Sequence, residues 1–188
     1  AEMTVFVDTY EPQITYNPKN EICFGEDITL EANGSNTSTV SYTWLKGSDV
    51  VGNSQNITFG QADYNTPGNY NYTLSTISES QYFYCTNSAG ASFTVHANPT
   101  SAFAVDPPDH ACTNTDINFD YLDDVSNKTF GWQFGDGGSD AQPHTIHQYT
   151  IPGNYNVALH IDLTYPTPTG HVCSSDSTMV LTVDPLPQ

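Results

Sequence analysis

Apolar residues occupy every second position over most of the chain. In its first half Ile28, Leu30 and Ala32 alternate with Thr29 and Glu31, Val40, Tyr42 and Trp44 with Ser41 and Thr43, and Tyr70, Tyr72 and Leu74 with Asn71 and Thr73. The second half repeats the rhythm with Ile117 and Phe119, with Phe130, Trp132 and Phe134, with Tyr155, Val157, Leu159 and Ile161, and with Met179, Leu181 and Val183. A period of two sends one face to a core and the other to water, which predicts half-buried strands. No run holds apolar residues at helical spacing over ten or more positions, and Gly, Pro, Asn and Ser punctuate the chain every 8 to 12 residues. The expected fold class is therefore all-β.

The pattern is also a repeat. Pro67-Gly68-Asn69-Tyr70-Asn71 recurs unchanged as Pro152-Gly153-Asn154-Tyr155-Asn156, and Cys23, Trp44 and Cys85 recur as Cys112, Trp132 and Cys173 at offsets of 89, 88 and 88 residues. A period of this length is that of a whole β-sandwich domain and too long for a solenoid repeat. Two copies in series are expected, residues 9–97 and 98–188, joined near Asn98-Pro99. Thr-Val followed within a few residues by a proline closes a strand at Thr94-Val95 and Thr182-Val183 and is found also at Thr4-Val5. Residues 1–8 accordingly read as the last strand of a preceding repeat or a leader segment, and Pro185-Leu186-Pro187 as the start of a linker.

A domain of about 90 residues gains from a covalent staple. Four cysteines allow three pairings, and the repeat favours one bridge within each copy, Cys23 with Cys85 and Cys112 with Cys173. Each would close a loop of about 60 residues, worth roughly 4 kcal/mol in the chain-entropy account, and would place the protein in an oxidising, extracytoplasmic compartment. A Trp 20 or 21 residues after the first cysteine, with a second cysteine about 60 residues after it, is the spacing of an immunoglobulin-like sandwich. The second cysteine comes 18 to 21 residues after the start of the Pro-Gly-Asn-Tyr turn, so the bridge is expected to tie the start of one strand to the start of the last.

Charge narrows the partners. Twenty-one acidic residues stand against Lys19, Lys46 and Lys128 with no arginine, a formal net charge of −18. Three scattered lysines cannot displace the counterions of a nucleic acid, nor hold an anionic bilayer surface. No apolar run approaches 18 residues, so no direct membrane insertion is expected.

Candidate chemistry is sparse. Asp136, in Gly135-Asp136-Gly137-Gly138, and Asp140 could offer calcium its oxygen ligands, as could Asp106 with Asp109 near the copy boundary and Asp123 with Asp124. The alternative for Asp136 is a turn, which favours Asp and Gly for the same positions. No complete ligand loop is legible, so no cofactor is expected beyond calcium. His144 and His147 are three apart, a zinc spacing on a helix but not on a strand. His96, His110, His160 and His171 are scattered and read as ordinary strand or surface residues. No nucleophile elbow, HExxH or phosphate loop occurs, and no enzyme is expected. Trp44 and Trp132 fall in register with core positions. Tyr10, Tyr16, Tyr82 and Tyr84 are better candidates for a contact surface.

Trp132-Gln133-Phe134-Gly135-Asp136-Gly137, then His147-Gln148-Tyr149, then Pro152 to Val157, resembles the signature of the polycystic-kidney-disease (PKD) domain, an immunoglobulin-like sandwich of extracellular proteins. The first copy keeps Trp44, Tyr64 and Pro67 to Tyr72 but lacks the Phe-Gly-Asp-Gly turn, and resembles a divergent PKD-like relative. Ile22-Cys23-Phe24-Gly25 near the start of a copy is similar to the repeats of very large bacterial surface adhesins of the gliding and type IX secretion kind. These resemblances imply a non-catalytic adhesion stalk on the cell surface. Its partners would be neighbouring repeats of the same chain and, beyond them, extracellular polysaccharide or another surface. The rival is an accessory spacer or polymer-binding module of a secreted hydrolase. A calcium-dependent adhesion ectodomain is a third reading.

Overall fold

The alternating runs form strands, and the two halves form them in the same order. The computed structural model describes residues 11–33, 39–79, 84–108, 110–166 and 170–186. The expected strand in residues 1–8, together with Tyr10, Tyr82 and Asp109, lies outside the described residues. The chain divides into two compact units, Ala1–Ala97 and Asn98–Gln188.

In the first unit β1 (Gln13–Asn17), β3 (Ile28–Asn33) and β6 (Asn56–Phe59) form a three-stranded sheet in the order β1-β3-β6. The second sheet orders β2 (Glu21–Cys23), β8 (Tyr84–His96), β7 (Gly68–Glu79), β4 (Thr39–Lys46) and β5 (Asp49–Gly52) as β2-β8-β7-β4-β5. The inner faces meet in one core, where Ile28, Leu30 and Ala32 from the small sheet pack with Trp44, Leu74 and Phe93 from the large one, all at or below 2% exposure.

The second unit repeats this strand for strand. β9 (Phe103–Asp106), β11 (Ile117–Tyr121) and β14 (His144–His147) make the small sheet. β10 (His110–Cys112), β16 (His171–Asp184), β15 (Gly153–Tyr165), β12 (Lys128–Gln133) and β13 (Ser139–Asp140) make the large one. Ile117, Phe119, Trp132, Val157, Leu159, Ile161 and Leu181 are fully buried in its core. Two face-to-face sheets of this order, with a tryptophan on the β4 or β12 strand, make each unit an immunoglobulin-like sandwich.

Register overturns the expected disulfides. The short strands β2 and β10 run parallel to the last strand of their unit, which sets Cys23 opposite His96 and Cys112 opposite Asp184. Both positions are at the finishing end of that strand. Cys85 and Cys173 lie eleven residues earlier, near its start. Eleven residues of extended chain span roughly 35 Å, whereas a disulfide needs Cα atoms within about 7 Å. Neither copy can bridge its own two cysteines, and Cys85 and Cys112 carry free thiols. The repeat showed correctly that the cysteines occupy equivalent positions. It carried no information that the two positions in a copy are neighbours, and the parallel pairing of β2 and β10 separates them.

Candidate functional site

The most elaborate local chemistry lies in the turn after β12. Gly135 and Gly137 hold φ of +84° and +96°, a region that side chains rarely enter. A Cβ at Gly135 would also stand 2.8 Å from the Asn156 carbonyl oxygen. The turn closes through Phe134 N–H donating to the Gly138 carbonyl at 3.0 Å. Asp136 completes it, accepting from Gly138 N–H at 2.8 Å through Oδ1 and meeting His147 Nε2 at 2.8 Å through Oδ2. The His147 ring stacks on Phe134 with centroids 4.1 Å apart and planes 6° apart, and meets Tyr149 edge-on at 4.7 Å. Burial pushes the Asp136 carboxyl up, but the Gly138 N–H and His147 outweigh it and hold it below the usual carboxylate range.

Two of the calcium candidates, Asp136 and Asp140, are therefore already engaged. Both oxygens of Asp136 have protein partners. Asp140 accepts from Gln142 N–H at 2.8 Å and from the Thr145 hydroxyl at 2.9 Å, which lowers its pKa. Asp106 is an exposed strand residue opposite Asn118. Asp123 accepts from Thr100 Oγ1 at 2.8 Å and lies 3.4 Å from Lys128 Nζ, which also donates to the Asp124 carbonyl. None of these carboxylates joins a group of three ligand side chains among the described residues.

Histidine pairing is what the sequence left unread. Five histidines lie within 3.1 Å of a carboxylate: His96 with Glu21, His110 with Asp184, His144 with Asp120, His147 with Asp136, and His160 with both Asp162 and Asp176. In a chain with three lysines, these imidazoles outnumber the other basic side chains that meet a carboxylate. Most partners sit on adjacent strands 11 to 75 positions away in sequence, so only register could reveal them. His160 shows the effect most clearly. The Asp176 carboxylate raises its pKa, burial opposes, and Asp162 adds to the rise.

The tryptophans are core. Trp44 and Trp132 are fully buried, and each indole N–H donates to a main-chain carbonyl ten residues on, Ser54 at 2.9 Å and Gln142 at 2.8 Å. Tyr70 and Tyr155, from the repeated pentapeptide, each donate to the carbonyl four residues back, Thr66 at 2.6 Å and Ile151 at 2.7 Å. Of the contact-surface tyrosines, Tyr84 is 75% exposed, whereas Tyr16 is half-buried and accepts from Ser92 N–H at 3.1 Å. An open depression of about 360 Å³ lies beside Cys112, lined by Pro107, His110, Ala111, Thr115, Asp116 and Asp184.

Comparison with known proteins agrees with the fold. Residues 96–183 match the PKD domain family. Among solved structures, three N-terminal domains of the bacteriophage RB49 Highly Immunogenic Outer Capsid protein superpose with a TM-score of 0.55 at 16% identity, covering 95% of this chain and 71% of that one. Murine CEACAM1b (TM-score 0.38, 13% identity, 94% of this chain and 100% of that one) is also similar. So are the fibronectin(III)-like modules of Clostridium thermocellum CbhA (0.39, 14%, 92% and 95%). At these identities the likeness concerns the fold. No curated protein matches the sequence.

Proposed function

We propose that this chain is a non-catalytic stalk segment of a long, repetitive extracellular protein on a cell surface, in the manner of a gliding-motility adhesin. The observation that carries the reading is the duplication itself. Eight strands recur in the same order, with a tryptophan and a tyrosine in each copy fixed to equivalent main-chain carbonyls. A unit built to be repeated serves length and stiffness, and side-chain chemistry in both copies is spent on fixing turns and strand edges. Proline-bearing linkers limit bending, and a net charge of −18 keeps neighbouring filaments apart.

An antibody raised against the chain tests this on intact and fractionated cells. The expected result is a very large, surface-exposed polypeptide. A modest band released into the medium together with polymer-degrading activity would assign the chain to a secreted hydrolase as an accessory module instead.

A further inference from the structure

Each sandwich carries one cysteine at each end. Cys23 and Cys112 sit at the end where the last strand finishes and the chain leaves the unit. Cys85 and Cys173 sit at the end where it enters. Ser101, just ahead of β9, donates to the Asp176 carbonyl at 3.0 Å and lies 3.1 Å from Ser175 Oγ, two residues beyond Cys173. Because the ends are roughly 35 Å apart, Cys112 cannot close on Cys173, nor Cys85 on Cys23.

The two copies differ in state at these positions. In the first, the exit cysteine Cys23 is disulfide-bonded and 7% exposed, and its neighbouring pair Glu21 and His96 is buried at 4% and 11%. In the second, the exit cysteine Cys112 is a half-buried free thiol. Its neighbouring pair has the residue types exchanged, His110 on the short strand and Asp184 on the last, at the same 3.1 Å but 67% and 54% exposed. The depression of about 360 Å³ opens beside this pair. Entry cysteines mirror the contrast. Cys173 is disulfide-bonded and 1% exposed, whereas Cys85 is a half-buried free thiol next to the exposed ring of Tyr84.

We propose that the exit end of the second copy, centred on Cys112, is a docking surface for the entry end of a like repeat, and that Cys112 closes on that repeat's entry cysteine as a disulfide. The proposal rests on the repeat-array reading above. This chain carries both halves of the joint, so a second copy of it is the natural probe, with Cys112 of one molecule meeting Cys85 of the next. Such a contact is head to tail and does not close on itself, so it propagates as a filament. The chemistry is thiol–disulfide exchange with a small disulfide such as glutathione disulfide. The Cys112 thiolate attacks it, forming a mixed disulfide and releasing one glutathione thiol. The Cys85 thiolate of the second molecule then attacks Cys112 Sγ and releases the other. Two protein thiols are oxidised and one small disulfide is reduced to two thiols, which keep the two protons.

The purified 188-residue chain, incubated in a glutathione redox buffer at moderate salt to screen its charge, is examined on non-reducing gels and by peptide mapping. The expected result is a ladder of multimers in which Cys85–Cys112 linkages outnumber Cys112–Cys112 and Cys85–Cys85 linkages at least tenfold. Cys85→Ser and Cys112→Ser variants, each monomeric alone, should form a single covalent dimer when mixed. Unchanged tryptophan fluorescence in both variants checks that the sandwiches remain folded. Linkages in the statistical proportions of random collision, or glutathionylated monomer alone, would overturn the proposal. Neither outcome would touch the size and location of the parent protein, so the stalk reading stands or falls separately.

Discussion

The two sandwiches reach one topology with different interiors around one buried tyrosine. In the second unit, the Tyr149 hydroxyl donates to the Phe134 carbonyl at 2.8 Å, beneath the turn that Asp136 and His147 hold together. In the first, Lys46 stands where the second has Phe134, counted from the tryptophans, and its ammonium lies 5.3 Å from the Tyr70 ring centroid. Phe59 stands where the second has His147, each opposite the first residue of the central small-sheet strand. Stacking replaces the polar latch: Phe59 on Tyr72 at 4.2 Å, with Phe93 against Tyr70 and Tyr72 at 5.6 and 5.8 Å. Among the described residues the Tyr64 hydroxyl is then left buried with no hydrogen bond of ordinary geometry. Burial raises its pKa, with Asp27 and Glu26 adding to the rise and the Gly25 main-chain N–H opposing it. Strand order thus survives exchange of a hydrogen-bonded turn for an aromatic stack, because inward-facing volume sets the sandwich while turn chemistry sets only how one corner is closed.

The contrast is sharpest under mutation, with hydrogen exchange read by mass spectrometry to separate the units. Trp44→Ala and Trp132→Ala should be the most damaging and similar in cost, about 3–5 kcal/mol for an emptied aromatic site, since both indoles serve the same role. Equal loss of protection in both units is the expected result; loss in one alone would break the equivalence of the cores. Changes in the latch should separate them. Gly138→Ala sets a Cβ 2.7 Å from His147 Cε1 and 3.0 Å from Asp136 Oδ1, at a cost of about 1–3 kcal/mol confined to the second unit. The tyrosine pair follows. Tyr149→Phe leaves the buried Phe134 carbonyl without its donor and should cost about 1–2 kcal/mol, whereas Tyr64→Phe removes an orphaned hydroxyl and should be neutral or stabilising. Equal effects of the two would show that Tyr64 has found a partner.

Much of this was legible beforehand. Ile28, Leu30 and Ala32, or Val157, Leu159 and Ile161, alternate so regularly that their inward face could be named from the chain, and all six are buried. The equivalence of Cys23 with Cys112 was likewise visible. Their partners were not, because a three-residue strand such as Glu21–Cys23 has no pattern to say whether it runs parallel or antiparallel to its neighbour. The histidines were passed over for the same reason. His160 has Asp162 two residues on, within reach of local sequence, but only the register of β15 with β16 sets it opposite Asp176. Pairing across strands is a property of register, which composition and local spacing do not encode.

The smallest effect, and the one that tests whether histidine substitutes for missing lysine and arginine, is the dependence of stability on pH. His160 Nδ1 lies 2.8 Å from Asp176 and Nε2 3.1 Å from Asp162, so its folded pKa exceeds the ordinary 6.5. Folding binds the proton more tightly than the unfolded chain does. The resulting stabilisation is complete below 6.5 and is lost as pH rises through the higher folded value. Asp136 has the opposite sign: its folded pKa is below the ordinary 3.8, so its contribution is present above 3.8 and fades only as pH falls through the lower folded value. The second unit should therefore be most stable in mildly acidic solution, between these two windows. His160 is about half exposed, so solvent screening keeps its share under about 1 kcal/mol. His160→Gln should flatten the neutral limb of the melting temperature against pH while leaving the acid limb in place. An unchanged neutral limb would show that the Asp162–His160–Asp176 bridge contributes only geometry, and that the acidic face of β15 and β16 is held by strand pairing alone.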